Sequence, residues 1–262
     1  MTDNTAPGTP LGRLWTNTAL PAIGAVLAVG LWWLLTAALD VDPFYVPSPL
    51  DVVHSFLKIP GYFLRETWVT LQRVLIGFAI AVAAGLVIAV VLAASRTVER
   101  MTMPLLAAVN AIPKVALAPL LLVWMGFGDS PKIVMVVLVS FFPVIVSTMA
   151  GLSSTPADLH ELSRSLSASW WQTFVRVRLI WALPQVFVGL KVATPLAIIG
   201  AVIGEVVNPD RGLGSVISNS GASSDTPQAF VALVLLAICG VVLYYLMALL
   251  ERITVPWAHK IT

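Results

Sequence analysis

Of 262 residues, 58% are hydrophobic and only 11% charged, whereas a soluble domain carries roughly a quarter charged residues. That balance excludes a water-dispersed globule and predicts a one-domain polytopic membrane protein. The net charge of +2 is too small to point to nucleic acid. The single cysteine, Cys239, excludes an intrachain disulfide and any multi-cysteine metal site.

A bilayer crossing takes about 20 apolar residues. Six runs qualify, near 19–39, 69–94, 104–127, 133–152, 182–206 and 230–250. The expected fold is all-α, with six transmembrane helices. Residues 1–18 are polar and read as a tail rather than a cleavable signal, because the run behind them is long enough to span. The spanning domain then covers 19–262. After the first run comes VDPFYVPSPLDVVHSFLKIP. There Ser48 is placed to cap a short helix near 50–57, whose Val52, Val53, Phe56 and Leu57 suit a membrane interface. The third run holds Pro104, Pro113 and Pro119. Proline removes a backbone donor and clashes one turn back, so this span is expected to be kinked or broken. Between runs five and six, NPDRGLGSVISNSGASSDTPQ reads as a loop holding a short helix or re-entrant turn.

The longest amphipathic passage is DLHELSRSLSASWWQTFVRVRLIWALP, residues 158–184. Leu159, Leu162, Leu166, Trp170, Phe174 and Val177 recur at steps of three or four, one face of a helix. The opposite face carries His160, Glu161, Arg164, Gln172 and Arg176. Thr155 is a candidate cap, with Asp158 three residues on. Serines at 163, 165, 167 and 169 weaken the middle, so two helices with a bend near Ser167 are expected. Such a segment either lies on lipid or docks a soluble partner.

Lysine and arginine set the orientation. With both termini in the cytoplasm, inside segments carry Arg13, Arg96, Arg100, Arg164, Arg176, Arg178, Arg252 and Lys260. Outside segments carry Lys58, Arg65, Lys132 and Arg211 among many acids. The 158–184 segment is then cytoplasmic.

Ionisable residues within spans are functional candidates by default. Lys114 follows Pro113 in the broken third span, and Asn110 shares its face one turn earlier. Both are candidates for a substrate pathway, against the plainer roles of snorkelling or closing a helix end. Lys191 is expected to snorkel, Glu205 to pair with Arg211, and Arg73 to anchor at an interface or pair with Glu66. Thr194, beside Pro195, is a further pathway candidate. Phe141 and Phe142 are either an apolar gate or packing. His54, His160 and His259 lie in separate segments and cannot share a metal. No catalytic constellation is present. The chain also lacks a Gly-rich phosphate loop with its Lys-Ser/Thr, so ATP hydrolysis and cofactor binding are not expected of it. The alternative, an ion-coupled secondary transporter, has little support in so few intramembrane carboxylates. No fixed-period repeat suggests an inverted-repeat fold.

The 158–184 segment resembles the cytoplasmic coupling loop of permeases in binding-protein-dependent ABC importers. Their signature is Glu-Ala-Ala, three residues, Gly, and later Leu-Pro. Here Glu161 and Leu183-Pro184 match, while Leu162, Ser163 and Ser167 replace the alanines and the glycine. Further pieces are similar to the branch that serves nitrate, sulfonate, taurine and pyrimidine-type precursors. They are VPSPLDVV at 46–53, TLQRVLIGF at 70–78, IPKVALAPLLLVWMGFG at 112–128, FFPVIVSTMAGL at 141–152, GLKVATPLAIIGAVIGEV at 189–206 and GLGSVI at 212–217.

The resemblance implies a type I ABC importer permease in a bacterial inner membrane. Two permease copies, as a homodimer, would form the pathway. Two cytoplasmic ATPases, holding ATP and Mg, would drive it, and an external binding protein would deliver a small solute. The coupling loop would cover about 155–181, with Glu161, Leu162, Arg164, Leu166, Ser167 and Trp170 meeting the ATPase groove. The PKVALAP stretch is closer to the pyrimidine and riboflavin-precursor group than to the nitrate or sulfonate group. A small organic or inorganic anion is the other substrate class.

Overall fold

A computed structural model describes residues 20–257, without the side chains of Pro21, Arg96 and His160. The expected tail 1–18, with Arg13 and Trp15, and also His259 and Lys260, lie outside the described residues. Among the described residues the fold is helical without strands. In chain order come α1 (Leu20–Ala38), α2 (Pro49–Lys58), α3 (Pro60–Ala93), α4 (Arg96–Ala111), α5 (Lys114–Met125), α6 (Asp129–Ser153), α7 (Ala157–Ser165) and α8 (Trp170–Thr173). A π-helical turn (Phe174–Arg178) joins α8 to α9 (Leu179–Val207), and α10 (Leu213–Ala222) and α11 (Thr226–Thr254) follow.

Helices α3 and α6, the continuous run Trp170–Val207, and α11 are each long and apolar enough to cross a membrane. The expected third span is two helices, α4 and α5, bent by 87°. Counted as one crossing, the pair makes five. The apolar stretch of α1, Ala22–Ala38, is shorter than a full crossing. The six expected spans are therefore not all found: among the described residues four helices, or five with the bent pair counted as one, are long and apolar enough to cross. The break falls at one proline only. Ile112 and Pro113 are extended, while the helices run on through Pro104 and Pro119. The run 104–127 is too proline-rich for one straight rod, but only Pro113 forces its neighbour out of the helical region.

Helix α6 is the centre of the bundle, packed between α3 and α9. Small residues let the backbones approach, as membrane packing requires. A Cβ on Gly77 of α3 would lie 2.5 Å from Val136 Cβ, and one on Gly200 of α9 would lie 2.7 Å from Val136 Cα. One α6 residue thus touches two glycines on opposite neighbours. The buried face of α3 runs at a helical period, polar at Glu66, Thr70 and Arg73 near its start and small or apolar at Val74, Gly77, Ala81, Gly85, Ala89 and Leu92 beyond.

Short helices close the ends. Ser48 caps α2 as expected, in a full capping box with Asp51. The loop after α9 holds α10. At the other end of the bundle, Lys191 donates to Glu251 at 2.8 Å, joining α9 to α11. This corrects the snorkelling expected of Lys191. A carboxylate from a helix far along the chain was near enough to pair with it.

Candidate functional site

Two regions carry the molecule's chemistry, one at each end of the bundle. The first is the amphipathic segment. Helix α7 starts after Pro156, which is extended and offers no side-chain cap. The cap expected of Thr155 is absent. Its hydroxyl donates instead to Leu152 O at 3.4 Å, because Pro156 occupies the capping position. Asp158 in the first turn and Arg164 in the last both complement the helix dipole. The helix ends in a double bond pattern, Ser167 N–H to Arg164 O at 2.9 Å and Ala168 N–H to Ser163 O at 3.0 Å. Ser167 takes φ +52°. This is a Schellman closure with serine where glycine is usual. The bend expected near Ser167 is where the helix stops.

Ser169 then opens α8 with a second capping box. Gln172 N–H donates to Ser169 Oγ at 3.3 Å, and Ser169 N–H donates to Gln172 Oε1 at 2.9 Å. Trp170 stacks on Phe174 with centroids 5.3 Å apart and planes 9° apart. Phe174 is buried, while Trp170 and Trp171 are 60% and 64% exposed. Leu162 and Leu166 are 55% and 72% exposed. Glu161, Arg164 and Ser167 are exposed as well. All six coupling candidates thus lie on one solvent-facing corner formed by α7, the bend and α8. Among the described residues, no ion pair engages Glu161 or Arg164.

The second region is a buried ion cluster at the opposite end, where α3, α6, α9 and α10 meet. Arg73 donates from Nε to Asp129 Oδ1 at 2.8 Å, from Nη1 to Glu205 Oε1 at 2.9 Å and from Nη1 to Arg211 O at 2.7 Å. Lys132, itself buried, pairs with Asp210. Glu205 is wholly buried. It accepts from Thr70 Oγ1 at 3.0 Å and from Gly214 N–H at 2.8 Å. Glu66 accepts from Gly212 N–H at 2.5 Å, and Thr70 Oγ1 accepts from Leu213 N–H at 2.8 Å. Two carboxylates and a hydroxyl therefore satisfy the first N–H groups of α10, where the helix dipole favours negative charge.

Gly212 is fixed here by close approach and conformation together. Its φ is +101°, and a Cβ would lie 2.2 Å from Glu205 Oε1. Burial alone would raise the Asp210 carboxyl, but hydrogen bonds from Lys132 and from Arg211 N–H, with the charges of Lys132 and Arg73, hold it below the usual carboxylate range.

This cluster corrects two expected pairings. Glu205 meets Arg73 rather than the Arg211 side chain, and Arg73 meets Asp129 and Glu205 rather than Glu66. Helix α3 begins nine residues before the expected 69, so Glu66 and Arg73 sit two turns apart on one buried face. Glu66 is then taken by the α10 backbone.

The pathway candidates separate. Lys114 Nζ reaches across the break to Asn110 O and, at 2.7 Å, to Asn110 Oδ1. These bonds close the end of α4 and hold the two pathway candidates together. Phe141 packs against Ala89, Leu92, Ile145 and Met149. Phe142 is half-buried on the same helix. Thr194 is buried, its hydroxyl donating to Leu190 O at 2.8 Å, and it faces an apolar void of about 30 Å³ between α3, α9 and α11. Among the described residues, no group of three or more His, Cys, Asp or Glu is placed to hold a metal.

The chain is similar to known proteins. Residues 81–258 match the family described as the binding-protein-dependent transport system inner membrane component. The riboflavin transport system permease protein RibX of Chloroflexus aurantiacus is 37% identical, over 93% of this chain and 91% of its own. The formylaminopyrimidine transport permease protein ThiX of Halalkalibacterium halodurans is 32% identical, over 87% and 92%. The taurine transport system permease protein TauC of Escherichia coli is 28% identical, over 96% and 93%. Among solved structures, an inward-facing MetNI methionine ABC transporter superposes with a TM-score of 0.64 at 22% identity, covering 75% of this chain and 96% of that one. That likeness places the architecture among the type I importer permease folds. The chain belongs to the binding-protein-dependent transport inner membrane component family, in the branch of ABC transporter permeases that includes its pyrimidine, sulfonate and taurine relatives.

Proposed function

We propose that this chain is the pathway-forming subunit of an importer, worked by separate ATPase subunits that grip the corner made by α7, Ser167 and α8. The observation that carries this reading is the exposure of Leu162, Leu166 and Trp170, with Glu161 and Arg164 exposed near them and in no ion pair among the described residues. Apolar side chains so exposed on a polar corner suit a partner's groove, with a large aromatic as anchor and charges at its rim. In this reading the α7 end faces the cytoplasm, as the arginine bias suggests. The ATPases hold ATP and Mg, two permease copies pair as a homodimer, and an external binding protein delivers the solute at the ion-cluster end.

For the substrate we infer a heteroaromatic solute of the pyrimidine or riboflavin class. The 37% and 32% identities to the riboflavin and formylaminopyrimidine permeases, against 28% to the taurine permease, support this. In the pathway, the Asn110–Lys114 pair at the α4–α5 break is the polar feature we assign to solute contact. Phe141, Phe142 and Thr194 are further candidates for the pathway beside it, with Phe141 packed against α3 and Thr194 bonded within its own helix.

The test is reconstitution with the ATPase encoded beside this chain and the cognate binding protein in proteoliposomes. Glu161→Arg should leave insertion and folding intact and weaken ATPase association tenfold or more, an effect on the order of that measured for buried interfacial charges. Full coupling in that variant would overturn the docking assignment. Uptake of riboflavin or a formylaminopyrimidine, but not taurine, is expected of the wild type. Taurine uptake alone would overturn the substrate class.

A further inference from the structure

A cavity of about 660 Å³ opens beside α7, lined by polar as well as apolar groups. It lies where α3 ends at Ala93 and α6 ends at Ser153. Both helices are long and apolar enough to span, so their ends would put the cavity near the depth where hydrocarbon gives way to lipid headgroups. Arg100 of α4 and Arg178 of the π-helical turn line it, together with Glu99. Two cations against one carboxylate leave an excess of one positive charge. Among the described residues, no carboxylate lies within 4.0 Å of either arginine.

Arg178 is held in place rather than loose. Its Nη2 donates to Leu152 O at 3.2 Å, and its guanidinium lies 5.8 Å over the Phe174 ring. Yet its Nε is buried and has no acceptor. A guanidinium offers five N–H donors, and a buried donor without an acceptor is costly. Two helices also begin here. Ser95 gives α4 no side-chain cap, and Pro156 gives α7 none. Ala94 and Ala157, which flank those starts, line the cavity. Each start carries one acid in its first turn, Glu99 in α4 and Asp158 in α7, but no side chain caps either, and uncapped first-turn N–H groups favour an anion.

We propose that this cavity binds the phosphate of an anionic phospholipid headgroup. The arginine pair and the two helix starts read the phosphate, and the excess positive charge selects a headgroup of net charge −1 over a zwitterionic one. Basic pockets between spanning helices at this depth suit such headgroups. The bound lipid would link the ends of α3 and α6 to the first turn of α7. That consequence rests on the docking reading given above, but the binding itself does not.

The experiment uses the full chain in detergent, with short-chain dihexanoyl phosphatidylglycerol, dihexanoyl phosphatidylcholine and inorganic phosphate as probes in calorimetric titration. The glycerol lipid is expected to bind at least tenfold more tightly than the choline lipid. Arg100→Gln and Arg178→Gln should each weaken it roughly tenfold, as loss of a charged hydrogen-bond donor does. Arg178→Gln also removes the contact to Leu152 and can destabilise the fold, so the exposed Arg100 decides. Equal binding of the two lipids, or unchanged binding by Arg100→Gln, would overturn the site. Inorganic phosphate binding as tightly as the glycerol lipid would overturn the lipid source and assign the cavity to soluble phosphate.

Discussion

The two ends of the helix bundle use their side chains in opposite ways. At the ion-cluster end, Arg73, Glu66, Thr70 and Glu205 are buried and matched to one another and to the α10 backbone. At the α7 end, Leu162, Leu166, Trp170 and Trp171 are exposed, with Glu161 and Arg164 exposed near them and in no ion pair among the described residues. Burying charges is tolerated only where partners are supplied, so the first end has completed its interactions within one chain. Exposing a cluster of large apolar side chains is unfavourable in isolation, so the second end is incomplete without something outside the chain. In the docking reading proposed above, the difference separates a region that holds the shape from a region that would transmit force to it.

The largest effect should come from breaking the cluster. Arg73→Met leaves Glu205 buried without its cation, a loss of about 3–5 kcal/mol. A fall in the melting temperature of the detergent-solubilised protein reads it. An unchanged melting temperature would erase the contrast between the two ends. Gly212→Ala comes next, because a Cβ there meets the Glu205 carboxylate at a positive φ. Strain of this kind costs about 1–3 kcal/mol. Gly221, in the same short helix, has nothing within 4 Å of its would-be Cβ. Gly221→Ala should therefore stabilise α10 by about 0.5–1 kcal/mol, the helix preference for alanine. Opposite signs at two glycines nine residues apart would show that the clamp, not glycine content, fixes the turn.

At the other end the expectation reverses. Trp170→Ala should change the stability of the permease alone by no more than about 0.5 kcal/mol, as an exposed substitution does. It should weaken ATPase association by about 2 kcal/mol, as loss of an aromatic anchor does. Parallel thermal melts and pull-down titrations with the ATPase separate the two quantities. A large stability loss without an association defect would make Trp170 a packing residue.

The contrast was partly legible in the sequence. The apolar face at Leu159, Leu162, Leu166 and Trp170, the bend at Ser167, the cap at Ser48 and the break within the proline-rich third run follow from local rules of spacing and backbone geometry. The ion cluster does not. Arg73 lies 56 residues from Asp129 and 132 from Glu205, and nothing in local periodicity pairs them. One signal was available. Arg73 follows Glu66 and Thr70 at helical spacing, which puts three polar groups on a face that continues as Val74, Gly77 and Ala81. Polar residues in register with a core stripe need internal partners. The same limit explains Lys191, whose partner Glu251 comes from the last helix. Thr155 failed for a local reason: Pro156 stands where a capping side chain was expected.

The smallest effect tests how the docking corner keeps its shape. Ser167 holds φ +52°, a conformation in which an L side chain costs about 1–2 kcal/mol relative to glycine. Ser167→Gly removes that cost but also frees the unfolded chain, which returns about 0.4–1 kcal/mol. The net gain should therefore stay below about 1 kcal/mol, too small for a melting curve of the whole bundle. It should appear locally, as slower hydrogen exchange at the Ser167 and Ala168 amides, because these two close the end of α7. Ser167→Val should do the reverse, loosening both amides and lowering ATPase association, because a β-branched residue fits this backbone worst. If glycine and valine gave the same exchange rates, the bend would owe nothing to the left-handed residue. The geometry of the corner would then come from the partner that binds it.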